Sequence, residues 1–129
     1  MSFFTTYSKK LENLIAAVIF LLTFVVYFLT MAPTVSFWDT GEFIATSHIL
    51  GVPHPPGSPL FLLVGKFFSL IPLSDDIAFR VNIFSPIISA LTISLLFLIC
   101  NQFIDRLDHN NENRFFKMWS SLIASLTFA

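Results

Sequence analysis

The sequence predicts an all-α transmembrane architecture, with a helical external loop between its first two spans. Three observations carry this. Hydrophobic residues make up 55% of the chain and charged residues only 12%, against roughly a quarter charged in an average soluble domain. Two long runs, 13–38 and 81–103, contain no acid, lysine, arginine or histidine. Between them, Pro33 to Pro59 gathers acids, histidines, a tryptophan and four clustered prolines, a composition no membrane span has. Any chemistry in this chain is placed there.

Residues 1–12 are polar and carry Lys9 and Lys10 just before the first apolar run. Residues 13–31 form span 1, because about 20 apolar residues in a helix cross a hydrocarbon core of about 30 Å. A secretory signal is the competing reading. Its apolar region is typically only about 7–15 residues and is followed by a small-residue cleavage site, which this run lacks. Pro33 ends the helix, since its ring excludes it from a helix interior and biases Ala32 away from helical torsions.

Residues 32–82 are the external loop. Ser36 with Asp39 three residues on resembles a capping box, and Gly51 followed by Pro53 marks a stop, so a short helix is expected over Phe37–Leu50. On it Asp39 and Glu42 share a face, while His48 points elsewhere. Val52–Pro59 is too rich in proline for regular structure. Leu60–Leu73 is apolar but short and holds Lys66, which suits an interfacial or re-entrant helix. Ser74-Asp75-Asp76 can cap the next helix.

Residues 83–104 form span 2, 105–117 a polar connection, and 118–129 the start of span 3. The chain is therefore expected to be the N-terminal part of a longer protein. Lys9, Lys10, Arg106, Arg114 and Lys117 fall on one side of the spans and Lys66 and Arg80 on the other. By the positive-inside rule, residues 1–12 and 105–117 are cytoplasmic and 32–82 faces periplasm or lumen. A bacterial inner membrane with the loop in the periplasm is the expected setting.

Several function classes are excluded. A net charge of −1 gives no basic stripe to neutralise phosphates, so nucleic acid is not a partner. Cys100 is the only cysteine and allows no internal disulfide. No phosphate-binding glycine loop, Cys/His zinc pattern or G-x-S-x-G elbow occurs.

The acids at Asp39 and Glu42 form the sharpest candidate pair. Each would cost about 2.5–3.5 kcal/mol at a membrane centre, so the pair belongs at the water boundary or in a polar cavity. Helix capping is the alternative account of Asp39. Trp38 suits an interface anchor or a substrate contact. His54, clamped between prolines, could meet a phosphate or a metal, though one histidine specifies no metal site. Arg80 and Lys66 could meet an anionic lipid head group, or Lys66 could snorkel to the interface. Asn82 requires a polar partner.

The runs Pro33-Thr-Val-Ser-Phe-Trp-Asp39-Thr-Gly-Glu42-Phe and Leu50-Gly-Val-Pro-His54-Pro-Pro-Gly57-Ser-Pro59-Leu, with Phe79-Arg80-Val-Asn82, resemble the start of the DUF2723 family. That family is similar to the TMEM260-type protein O-mannosyltransferases and is placed with the GT-C glycosyltransferases. The resemblance covers roughly residues 10–105. It implies a GT-C-like bundle that moves a sugar from a polyprenyl-phosphate donor to a hydroxyl acceptor on protein or glycan. It implies Asp39 as base, Glu42 orienting acceptor or ion, and His54 with Arg80 near the phosphate. Trp38 and Asn82 complete the substrate-binding set. No cofactor is specified beyond a divalent cation the acids could attract, and this piece is expected to be inactive alone. The rival reading is a non-enzymatic membrane module, a transporter or assembly subunit that uses the acids for ions or protons.

Overall fold

The computed structural model describes residues 2–107 and 114–129, with side chains from residues 9–107 and 115–129. Expectations for residues 108–113 of the polar connection, and for the side chain of Arg114, lie outside the described residues. All described elements are helices, in the order α1 (Ser2–Thr30), α2 (Thr40–Ile49), α3 (Pro59–Leu70), α4 (Ile77–Asn82), α5 (Phe84–Leu107) and α6 (Arg114–Leu126). No strand occurs among the described residues. Two helical stretches, Lys9–Thr30 and Ile77–Leu107, are long and apolar enough to cross a membrane. α3 has 12 residues, about 18 Å at 1.5 Å per residue, and is too short to do so.

The chain divides into two compact units. One comprises residues 1–27 and 88–129, the other residues 28–87. In the first, Ala16, Ile19, Ile93 and Phe97 form a buried cluster against which Leu122 packs. The Ser94 hydroxyl donates to the Ala16 carbonyl at 2.8 Å, tying α5 to α1 with its polar group satisfied. Amphipathicity here runs opposite to that of a soluble fold. On α6 Lys117, Ser121 and Ser125 are buried while Phe115, Phe116, Trp119 and Ile123 are exposed. Lys117, only 3% exposed, pairs with Asp105 at 3.4 Å. Apolar side chains outward and polar ones inward is the pattern of a helix whose solvent is lipid.

The second unit carries the site. α2, α3 and α4 pack together around Ile44, Ala78 and Val81. Phe61 and Phe68 of α3 each pack against Phe84, at centroid separations of 5.1 and 5.8 Å. α2 and α3 meet where Gly65 faces Ser47. A Cβ at residue 65 would lie 2.6 Å from Ser47 Oγ, so only glycine fits without displacement. Ser47 is fully buried, and its hydroxyl has no partner among the described residues.

Local chemistry moves two expected boundaries. α2 starts at Thr40 rather than Phe37, because Trp38 has φ 66° and Asp39 occupies the N-cap. The expected capping box does not form. Ser36 instead donates to Thr40 Oγ1 at 3.2 Å, and Thr40 donates to the Phe37 carbonyl. At the other end Leu50, not Gly51, takes the left-handed torsion that closes the helix. The Gly51 N–H then reaches the Thr46 carbonyl at 2.8 Å. Asp76 caps α4 by accepting from the Ala78 N–H at 2.8 Å, the role its sequence position suggests.

Candidate functional site

Asp39 and Glu42 lie one turn apart at the start of α2, and the turn at His54 folds back onto them. Both Glu42 oxygens bind His54. Oε1 accepts from its backbone N–H at 2.7 Å, and Oε2 lies 2.8 Å from Nδ1. Phe43 sets its ring edge-on to the imidazole at 5.8 Å. The far ring nitrogen, Nε2, lies 3.9 Å from Asp39 Oδ2. Asp39 occupies the N-cap of α2 but its side chain makes no capping hydrogen bond, so what the helix start offers its charge is the dipole, and the side chain is 52% exposed.

A cavity of about 470 Å³ opens beside this cluster, lined by Trp38, Asp39, Phe43, Ser58, Phe61 and Asn82 among others. Its size falls within the roughly 300–1,000 Å³ of small-molecule sites. Asp39 is the residue common to cavity and cluster. Trp38 and Ser58 both line the cavity with positive φ, 66° and 43°, a torsion that costs on the order of 1–3 kcal/mol in a non-glycine residue and concentrates at functional sites. Asn82 does more than line the wall. Its amide donates to the Ala32 and Thr34 carbonyls at 3.0 and 3.1 Å, fixing the segment that leads into Trp38.

Arg80 and Lys66 are directed elsewhere. Arg80 donates through Nε to the Ser74 carbonyl and through Nη1 to the Ser69 carbonyl at 3.2 Å. Lys66 donates through Nζ to the His48 carbonyl at 2.5 Å. Each cation thus serves the C-terminal turn of a neighbouring helix, where the dipole favours positive charge. Arg80 is absent from the cavity wall. His48 faces away from the acids, its Nδ1 3.4 Å from Ser69 Oγ.

The electrostatics follow from the Glu42–His54 contact. Glu42 sits below the usual carboxylate range, first because the imidazole hydrogen-bonds it and then because the His54 backbone N–H does. His54 is raised above its ordinary 6.5 by that same hydrogen bond, then by the charges of Glu42 and Asp39. The depressed Glu42 holds the turn above 4.5 and lets go as pH falls through its lowered value. The raised His54 adds its share below 6.5 and loses it as pH climbs past its raised value. Imidazole proton shifts should therefore give a His54 midpoint above 6.5 that drops in Glu42→Gln. An unchanged midpoint would mean that the contact does not persist in solution. One donor atom from each of Asp39, Glu42 and His54 lies within 4.8 Å of the others, but both Glu42 oxygens and His54 Nδ1 are already engaged with one another.

These features define a class: an all-helical chain with membrane-length helices and an exposed acid–histidine cluster opening on an aromatic cavity. The model of the protein O-mannosyl-transferase TMEM260 N-terminal domain family matches residues 39–129. The chain belongs to that family. It is 34% identical over 92 residues to the protein O-mannosyl-transferase tmem260 of Dictyostelium discoideum, covering 70% of this chain and 11% of that protein. It is 41% identical over 73 residues to the protein O-mannosyl-transferase TMEM260 of Mus musculus, covering 56% of this chain and 10% of that protein. The matched stretch thus spans about a tenth of the length of these curated relatives. No solved structure matches the chain.

Proposed function

We propose that this chain forms the start of a multi-pass, GT-C-type membrane glycosyltransferase. It would move a sugar, mannose by the naming of its relatives, from a polyprenyl-phosphate donor to a protein hydroxyl. The observation that carries the reading is the Asp39 carboxylate. It is unspent on helix capping, half exposed, and set in the wall of a cavity with strained, non-glycine neighbours. Inverting transfer needs a base for the acceptor proton as the oxygen attacks, and Asp39 fills that role. Trp38 offers a flat apolar face to a sugar ring, and Asn82 and His54 offer polar groups to the substrates. The phosphate leaving group calls for donors that Arg80, held on Ser69 and Ser74, does not supply from this chain. We take those donors to come from further spans, which makes this piece inactive alone.

The setting that goes with this reading is a membrane, the bacterial inner membrane on the sequence expectation. Residues 32–82 face outward, residues 1–12 and 105–117 face the cytoplasm, and a third span starts near 118. The test is donor class. The intact protein in membranes should transfer labelled mannose from polyprenyl-phosphate mannose to a protein hydroxyl and ignore a nucleotide-linked sugar. Use of the nucleotide sugar sinks the polyprenyl-phosphate donor class, and no transfer from either sinks the transferase reading and favours an ion- or proton-handling module.

A further inference from the structure

A carboxylate that has taken a proton must lose it before the next turnover, and Asp39 has a neighbour suited to receive it. Imidazole binds a proton more tightly than a carboxylate does, so the transfer from Asp39 to a bare imidazole nitrogen runs downhill. Whether His54 offers such a nitrogen depends on which of its two carries the hydrogen. Ionised carboxylates only accept hydrogen bonds. Glu42 Oε2 lies 2.8 Å from Nδ1, which therefore holds the hydrogen, and Nε2 keeps its lone pair in the neutral ring. Oε1 meanwhile holds the His54 backbone, and the Phe43 edge fixes the ring plane. These contacts aim Nε2 at Asp39 Oδ2, 3.9 Å away. Such contacts are commonly long before substrate binds and tighten toward about 2.6–3.2 Å when it does. The titratable groups that face His54 are Glu42 and Asp39, both from the start of α2.

We propose that Glu42 is a positioning residue: it fixes the Nδ1–H tautomer of His54 so that Nε2 takes from Asp39 the proton Asp39 removes from the acceptor hydroxyl. This rests on the transferase reading above and changes the part given to Glu42, from orienting the acceptor to orienting the histidine. In the reaction the acceptor oxygen bonds to the sugar carbon, and the bond from that carbon to the phosphate oxygen breaks with its electron pair kept by the phosphate. The hydroxyl proton goes to Asp39 Oδ2 and then to His54 Nε2. Asp39 is an anion again, and the imidazolium is held by Glu42 until the proton leaves to solvent, which His54 reaches with 48% of its side chain exposed.

Glu42→Gln tests this. While its oxygen accepts from the His54 backbone, its amide faces Nδ1 and donates, which puts the ring hydrogen on Nε2. The turnover number should fall on the order of 10²–10⁴-fold, the range seen for general acid–base groups and for a wrong histidine tautomer, with the donor KM unchanged. His54→Asn keeps a donor near the Nδ1 position but has no Nε2, and should lose as much. The double variant should be no worse than either single one, since the residues act as a unit. The spectroscopic arm needs no turnover. The chain has three histidines, so imidazole nitrogen shifts can be assigned by difference with His54→Asn. At a pH above the raised His54 midpoint, where the ring is neutral, the unsubstituted chain should show hydrogen on Nδ1 alone and Glu42→Gln should show it on Nε2. Near-normal turnover in Glu42→Gln, losses that multiply in the double variant, or a hydrogen on Nε2 of the neutral wild-type ring would each overturn the proposal. Loss of transfer in Asp39→Asn without loss in Glu42→Gln removes this proposal and leaves the transferase reading intact. No transfer by the unsubstituted protein removes both.

Discussion

Asp39→Asn should lower sugar transfer by the intact protein on the order of 10²–10⁴-fold, the usual share of a general base, while the protein still inserts and accumulates normally. Asparagine keeps the size of the side chain and caps helices about as well as aspartate, so a capping role would leave both transfer and stability nearly unchanged. Asp39 sits at the N-cap of α2 and its side chain makes no capping hydrogen bond, so a structural role would be limited to the charge–dipole interaction, about 0.3–1 kcal/mol. The measurement is labelled mannose transferred per unit of protein in membranes with matched expression. Transfer within a few fold of the unsubstituted protein would take Asp39 out of the mechanism.

Topology should give an all-or-none result. In a Cys100→Ser background, cysteine at Phe37 should react with an impermeant maleimide added to intact cells, and cysteine at Asn110 should react only after permeabilisation. Phe37 is 92% exposed among the described residues, so nothing in this stretch of chain shields it from the reagent. The orientation comes from Lys9, Lys10, Arg106, Arg114 and Lys117 flanking the spans on one side. Lys66 and Arg80, expected on the other side, bind carbonyls at helix ends. Labelling at Asn110 from outside, with none at Phe37, would reverse the orientation and take the acids away from a lumenal or periplasmic acceptor.

Periodicity and proline placed much of this chain correctly, for reasons internal to short stretches. The end of α1 before Pro33, the Asp76 cap and the shared face of Asp39 and Glu42 each depend on contacts within about one helical turn. What the sequence hid depends on contacts between segments. Glu42 and His54 are 12 residues apart across a proline-rich turn, and no helical or strand period predicts that they meet. Arg80 resembled a phosphate ligand because its commitment to the Ser69 carbonyl, 11 residues back, exists only once α3 and α4 pack. The Lys66 contact with the His48 carbonyl, 18 residues back, is of the same kind. The left-handed torsions at Trp38 and Leu50 were invisible because neither residue favours them, and glycine at position 51 drew the expected stop one residue too far.

The division at residues 28–87 bears on how the protein is made. Asp39, Glu42, His54 and Asn82, together with the contacts that position them, all fall inside that unit. A ribosome adding about 5–20 residues per second completes it within seconds, before α6 exists. The cluster's partners are thus available to one another while the chain is still nascent, and its assembly need not wait for later helices. An error in downstream synthesis would then yield a protein with a formed acid–histidine loop and a failed membrane bundle. Quality control that inspects only the exposed loop would pass it.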